Sequence, residues 1–344
     1  MMKSSESPSS LPPPRSLMSL PHDVVLNCVA RITRSHHPVL SLVSKSFRSL
    51  VASPELEATR SLIGNPEKLL YVCLRLKNNP SWFVLSQDPK RKLIPIPSYP
   101  NFPNQHPDSS TVVSVGSEIY LIGGFVKGKR KRSRRVFLLD CKSHQWRQLP
   151  KMRVSRKDAA AVVKDGKIYV NGGCSDRRYK DTESYGEVYD SKTRTWEPTE
   201  MERRSYLIKT AFGLCSIVCL VNSENYAIFT MDHPPWCFTR VLNGELWCGG
   251  SVFWYRVSGL EELSSNYLIS VANPSGGSRV TVWWKNTKEC RTEIWCAEIL
   301  IESLPGRKFR GTVEWSENVF TFQGCESGDG DPVLLLHSAL VNFV

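Results

Sequence analysis

The sequence predicts two structural classes in one chain: a small all-α module, and behind it a long all-β region built by repetition. Three observations carry this. Apolar residues recur at helical spacing from Leu20 to Leu62. One phrase returns after 49–50 residues between Val112 and Met201, and the remaining C-terminal stretch is cut into short apolar runs by Gly, Asn and Ser.

The chain has 344 residues, enough for two domains and for a sizeable core. Residues 1–16 are rich in Ser and Pro, lack the apolar stretch of a signal peptide, and are expected to form a disordered tail. From Leu20 the pattern turns helical. Pro21 suits a first helical position, Asp23 sits where the helix dipole favours an anion, and Val24, Val25, Cys28, Val29 and Ile32 make one stripe. The segment 34–38 is expected to end that helix. A second stripe follows at Val39, Leu40, Val43, Phe47, Leu50 and Val51, and Ser53-Pro54 opens a third helix carrying Leu56 and reaching Leu62. A module of this size, residues 17–64, buries little surface alone. It is expected to lean on the next domain or to grip a partner.

The run Leu-Pro-His-Asp-Val-Val at 20–25 and the run Leu-Ser-Leu-Val-Ser-Lys-Ser-Phe-Arg-Ser-Leu at 40–50 resemble an F-box, in the version found in the plant F-box/kelch-repeat family. That resemblance implies docking onto a Skp-type adaptor, which joins the chain to a cullin and a RING subunit in a ubiquitin ligase. It also implies an adaptor-facing apolar surface of Leu20, Pro21, Val24, Ile32, Leu40, Val43 and Phe47, with Lys45 and Arg48 at the rim. Aliphatic anchors would supply the affinity and rim charges the orientation. Helical spacing does not separate anchors from the module's own core, so about half of these residues are expected in each role.

In the all-β region, residues 65–344, Gly-Ser-Glu-Ile-Tyr-Leu-Ile-Gly-Gly at 116–124 returns as Gly-Lys-Ile-Tyr-Val-Asn-Gly-Gly at 166–173. Tyr120 and Tyr169, Gly124 and Gly173, and Met152 and Met201 are 49 apart, while Asp140 and Asp190, and Trp146 and Trp196, are 50 apart. The two clearest copies occupy 110–150 and 155–201. This period, with an apolar strand ending in Gly-Gly and then an aromatic residue and a Trp, resembles the kelch repeat, one four-stranded blade of a β-propeller. In such a blade the double glycines Gly123-Gly124 and Gly172-Gly173 permit a backbone conformation and a close approach that side chains forbid. Trp146, Tyr189 and Trp196 place large rings between sheets, with Leu139 at the position of Tyr189 in the first copy. Arg156 is expected to hydrogen-bond across a turn as architecture. Strands are also expected within 69–97, 216–221, 246–257, 280–284, 294–301, 313–315 and 333–336. At the observed spacing 280 residues give six blades, with five the alternative, and a closed ring is favoured because it leaves no unpaired edge.

Lys plus Arg exceed Asp plus Glu by 12, and seven of those positive charges lie in the nine residues Lys127 to Arg135. A basic run of this kind reads as a disordered, solvated loop, or as a nuclear-import signal centred on Lys129, Arg130, Lys131 and Arg132. Nucleic-acid binding is disfavoured, because no aromatic residue interleaves the run for base stacking. The location implied is cytoplasmic, nuclear or both. No stretch of about 18 apolar residues exists to span a membrane.

The sequence lacks HExxH, GxSxG and GxxxxGK[ST], so catalytic, metal and cofactor-binding residues are all expected to be none. Eleven cysteines without a CxxC pair read as reduced thiols, with Cys28, Cys73, Cys219 and Cys296 among apolar neighbours. His22, His36 and His37 fall in the helical module, while His106, His144, His233 and His337 are dispersed through loops and strands and read as unpaired surface residues, and Glu261-Glu262 as a solvated turn. The function implied by the resemblance is a substrate receptor, without catalysis of its own, that presents a target protein for ubiquitination and degradation. A kelch scaffold without ubiquitin transfer is the alternative. The target and the loops that bind it are not given by these residues.

Overall fold

In the computed structural model the residues described are 17–64, 67–76, 79–97, 105–106, 109–126, 129–174, 186–199, 207–209, 216–221, 226–228, 238–242, 245–249, 254–263, 268–272, 278–288, 291–306, 308–323 and 333–343. The expected tail at 1–16 lies outside them.

Four short helices open the described chain: α1 (His22–Ala30), α2 (His37–Val43), α3 (Lys45–Val51) and α4 (Pro54–Ile63). Pro21 stands just before α1 and its carbonyl accepts from the backbone N–H of Val24 and of Val25 at 3.1 Å. The expected breaker at 34–38 behaves differently from its sequence reading. Arg34–His36 form a 3-10 turn capped by Thr33, and Pro38 lies in the first turn of α2, where a missing N–H costs nothing. The second stripe is likewise two helices. Ser44 takes an extended conformation (φ −159°, ψ 165°) and its Oγ accepts from Phe47 N at 3.1 Å, so a side-chain cap interrupts the periodic pattern. The third helix starts as expected, with Ser53 Oγ accepting from Leu56 N at 3.2 Å, and ends at Gly64, whose φ is +69°. Val25, Leu26, Val29, Ala30, Leu50, Val51 and Leu56 form the module's own core.

The rest is β-sheet, consistent with a propeller of kelch type. One sheet takes β1 (Glu67–Leu76), β2 (Asn79–Leu85), β3 (Leu93–Pro95) and the last strand of the chain, β25 (Val333–Phe343), in the order β25-β1-β2-β3. The C-terminal strand is thus paired to the first one, Glu67 opposite Phe343. A small sheet joins β4 (Gln105–His106), β7 (Phe125–Val126) and β8 (Lys129–Arg132). The two clear repeats are β5 (Thr111–Val115), β6 (Glu118–Ile122), β9 (Val136–Asp140) and β10 (Gln145–Leu149), then β11 (Ala160–Lys164), β12 (Lys167–Asn171), β13 (Gly186–Asp190) and β14 (Thr195–Pro198). A three-stranded sheet follows from β15 (Leu207–Lys209), β16 (Ser216–Val221) and β17 (Tyr226–Ile228). Last comes a seven-stranded sheet containing β18 (Phe238–Leu242), β19 (Glu245–Gly249), β20 (Trp254–Ser258), β21 (Leu268–Ala272), β22 (Arg279–Lys288), β23 (Arg291–Leu304) and β24 (Lys308–Gln323). Within it β18-β19-β20 joins the meander β21 to β24 by a short parallel pairing of β20 with β24.

Period-2 alternation decides the packing. Ile119 and Leu121 point to Tyr71, Cys73 and Trp146 in one apolar layer, whereas Tyr120 and Ile122 point to Ile168, Val170 and Tyr189 in the next. Leu70, Val72 and Leu74 repeat the pattern, facing Trp283, Ile294 and Cys296. Two expectations change here. The C-terminal strands are far longer than the short runs in the sequence, since β22, β23 and β24 have 10, 14 and 16 residues; alternating Glu, Thr and Ser on the wet face hide their length. The stretch 246–257 holds two strands, β19 and β20.

Candidate functional site

On the helical module the predicted residues separate by helix face. Leu20 (44% exposed), Val24 (39%) and Val43 (64%) point outward, with Pro21, Lys45 and Arg48 also exposed. Leu40 and Phe47 lie half-buried against the module core, and Ile32 is half-buried too. The outward set gains Val39 and Leu42, which share one face of α2 with Val43 at i, i+3 and i+4. Leu42 was missed because the second stripe was read through Val39, Leu40 and Val43 without separating outward from inward positions; i+3 from Val39 finds it. Cys28, expected among apolar neighbours, is exposed on α1, while Cys73 and Cys296 are buried. The side chain of Cys219 lies outside the described residues.

Beneath this face the module is fastened to the sheets by buried charge. Arg34 grips Glu57 through both terminal nitrogens, at 2.6 and 3.0 Å. Its backbone N–H donates to Glu67 Oε2 at 3.2 Å, and its guanidinium lies over the Phe343 ring at 4.5 Å. Arg60 donates to Glu67 Oε2 at 2.6 Å and to the carbonyls of Ala30 and Ile32 at 2.7 Å. Lys142, in the β9–β10 turn, reaches Glu57 at 3.0 Å, and His36 reaches Asp88 at 3.1 Å. Burial raises the Glu57 carboxyl, but hydrogen bonds from Arg34 and Lys142 outweigh it and hold the group below the usual range. Two histidines are buried in this seam, His37 of the helical module and His144, which was expected at the surface. Burial, with Arg60 and Arg34 nearby, lowers His37 to about 3. Burial lowers His144, hydrogen-bonded to Tyr71 Oη at 3.2 Å, to about 4. His337 is buried as well, so a surface position was the wrong expectation for His144 and His337.

The repeat residues do architectural work. Gly123, Gly124, Gly172 and Gly173 all have positive φ. A Cβ on Gly123 would stand 2.6 Å from the Arg156 carbonyl, and one on Gly173 would strike the Lys157 carbonyl. Arg156 is fully buried, pairs with Glu187 at 3.0 Å and donates to Gly172 O at 2.7 Å. Trp146 pairs across strands with Leu139, and Tyr189 with Trp196, whose rings are 5.0 Å apart. Trp146 and Tyr189 are buried; Trp196 is half-buried.

In the basic run, Lys127 and Gly128 lie outside the described residues, and the rest is not the disordered loop its composition predicts. Lys129 to Arg132 form strand β8, with Arg132 opposite Phe125 and Lys129 opposite Val126, and Ser133 N donates to Gly124 O at 2.8 Å. The side chains of Lys129 and Arg130 lie outside the described residues; Lys131 is exposed and Arg132 partly so.

Among the described residues no cluster of three His, Cys, Asp or Glu side chains is placed to hold a metal, and no helix is long and apolar enough to cross a membrane. Glu261 and Glu262 sit in an exposed 3-10 turn.

Comparison with known proteins matches residues 17–59 to the F-box domain and residues 73–252 to the FKB95, Kelch-repeats domain. Three Arabidopsis thaliana proteins are similar along nearly the whole chain. The F-box/kelch-repeat protein At2g44030 is 51% identical, covering 99% of this chain and 98% of its own length. F-box/kelch-repeat protein At5g03020 is 49% identical over 94% of each chain. F-box/kelch-repeat protein At3g46050 is 47% identical over 91% of each.

Proposed function

The chain belongs to the F-box/kelch-repeat family of non-catalytic adaptors, and from that premise we propose that it is the substrate-recognition subunit of a Skp-cullin-F-box ubiquitin ligase. In this reading residues 17–64 dock a Skp-type adaptor, which brings in the cullin and RING subunits. Residues 65–344, a propeller of six blades, hold a target protein for ubiquitination and proteasomal degradation.

The observation that carries the reading is a set of exposed apolar residues, Leu20 and Val24 at the start of the module and Val39, Leu42 and Val43 on one face of α2, that lie outside the module's own core. Exposed aliphatic side chains grouped at helical spacing cost solubility and suit a surface that a partner covers. Six blades are supported by the sheet set, if the seven-stranded sheet is divided at its parallel junction and the small sheet β4-β7-β8 is counted as a loop insertion. The pairing of β25 with β1 would close such a ring. The receptor contributes proximity, by raising the effective concentration of target lysine near the activated ubiquitin. Nuclear entry through Lys129, Arg130, Lys131 and Arg132 is a further part of this reading, supported by the density of charge in the run.

Replacing Leu20 and Pro21 together by Ala is expected to abolish co-purification with a Skp-type adaptor without altering thermal unfolding, because neither side chain belongs to the module core. Undiminished adaptor recovery would overturn the docking assignment. Adaptor binding with no client accumulating under cullin inhibition would favour a scaffold instead. For nuclear entry, replacing the four cations by Ala should leave a fluorescent fusion excluded from the nucleus; unchanged nuclear signal would remove that part.

A further inference from the structure

Strand direction separates the two ends of the sheets. In the unit β5-β6-β9-β10 successive strands are antiparallel, so the turn at Gly116-Ser117 and the turn at 141–144 share one end. The connections 123–135 and 150–159 share the other. The helical module sits at the first end. Lys142 pairs with Glu57 there, Arg34 covers Phe343, and Asn342 N donates to Gly116 O. The basic strand β8 therefore projects from the end opposite the module, about 17 Å away for strands of five residues.

At that far end cations gather from two connections. Lys131 on β8 and Arg134 and Arg135 just after it are exposed, with Arg132 of β8 half-exposed, and Lys151 and Arg153 are exposed on the connection to β11. Hydrogen bonds hold the two connections together: Arg134 Nε donates to Met152 O at 2.6 Å, Gly124 N to Arg156 O at 2.9 Å and Arg156 N to Ser133 O at 2.9 Å. The described carboxylates nearby are already engaged. Glu187 is buried against Arg156, and Asp158 lies 3.9 Å from Lys157 Nζ. Like charges carried on two connections joined in this way repel one another, and they raise the potential that an anionic partner relieves.

We propose that this far end is the target-recognition surface and that it takes an acidic segment of the target protein. The inference rests on the receptor reading for the word target, but not for the surface itself. A second copy of the chain is disfavoured, since cations on the edge strand β8 would face cations. Nucleic acid is disfavoured because the Phe125 ring, an aromatic surface at this end, is covered by Lys157 Nζ at 4.8 Å instead of being open for stacking. The placement also suits the function, since a target held opposite the helical module leaves the adaptor-facing apolar surface free.

The test uses the full chain, alone and mixed with a Skp-type adaptor, and a fluorescein-labelled peptide of alternating Glu and Val, read by anisotropy. The wild type should bind this peptide, with affinity falling as salt rises. A variant carrying Lys131→Glu, Arg135→Glu and Arg153→Glu should bind at least about tenfold more weakly, with unchanged circular dichroism and adaptor recovery. If that variant fails to fold, Arg153→Glu alone should still weaken binding. Equal affinity of wild type and folded variant would overturn the proposal, as would tighter binding of a single-stranded oligonucleotide than of the acidic peptide. Peptide binding retained where adaptor recovery is absent from the wild type would sink the receptor reading and leave this surface standing. The reverse result would sink the surface alone.

Discussion

Between neighbouring sheets the seam is filled with rings and branched side chains, Trp82 5.9 Å from Trp146 and Tyr120 6.0 Å from Tyr189. Between the helical module and the sheets it is filled with charge, Arg34 and Arg60 closing on Glu57 and Glu67. The difference teaches how each seam tolerates change. An apolar seam loses energy in proportion to the volume removed and can relax into the gap. A buried ionic seam is close to all-or-none, because removing one partner strands the other in a low-dielectric site. Such a seam adds little net stability, and in the receptor reading proposed above it would serve to fix the orientation between module and sheets.

The sharpest way to break the comparison is Glu67→Ala. It leaves two guanidinium groups without their shared carboxylate, and a cost of about 3–5 kcal/mol is expected. The module should loosen first. Limited proteolysis between 64 and 67 should accelerate more than thermal unfolding of the sheets, and simultaneous loss of both regions would show that the seam does not unfold separately. On the apolar side, Ile119→Ala should cost about 2–5 kcal/mol by cavity formation. Here chemical unfolding should shift as one transition, with the module still protected from protease; selective release of the module would contradict the assignment of Ile119 to the inter-sheet layer.

Acid provides a smaller and reversible perturbation. His144 and His37 are lowered to about 4 and about 3 by burial, from an ordinary value of 6.5. The unfolded chain therefore binds more protons than the folded one as pH falls below that value. Their contribution is complete above about 6.5 and is lost as pH falls toward about 4, at up to about 1.4 kcal/mol per pH unit for each imidazole. His144→Gln keeps a polar neutral side chain beside Tyr71 Oη but removes the titration. Its stability profile between those pH values should be flatter by about one proton; an unchanged slope would mean that His144 is not buried neutral.

The apolar seams were legible in the sequence because alternation and a fixed period are properties of neighbouring residues. Ile119-Tyr120-Leu121 and Ile168-Tyr169-Val170 declare their faces by period 2, and the glycine pairs declare a backbone constraint. The charged seam was not legible. Arg34, Glu57, Glu67 and Lys142 come from a turn, a helix, a strand and a distant hairpin, and as sequence each reads as an ordinary solvated residue. The histidines failed for the same reason, since nothing near His144 in the chain announces that Tyr71 lies on it. Leu42 of the outward apolar set was also hidden, because helical spacing alone does not tell the outward positions of α2 from the inward ones. The basic run was misread as a loop since composition alone does not reveal that Phe125 and Val126 pair with it.

Lys142 marks where the charged seam meets solvent. Its side chain is one-third exposed and Glu57 is about one-quarter exposed, so water screens the 3.0 Å pair. Glu57 would still keep Arg34 at 2.6 Å if Lys142 were lost. Lys142→Ala should therefore cost no more than about 1 kcal/mol and should do so less at high salt. Combining it with Glu67→Ala gives a decisive measurement. If the seam is one coupled network, the two effects should depart from additivity by more than about 0.5 kcal/mol. Simple additivity would divide it into a buried clasp at Glu67 and an independent surface pair at Glu57, and orientation would then rest on the clasp alone.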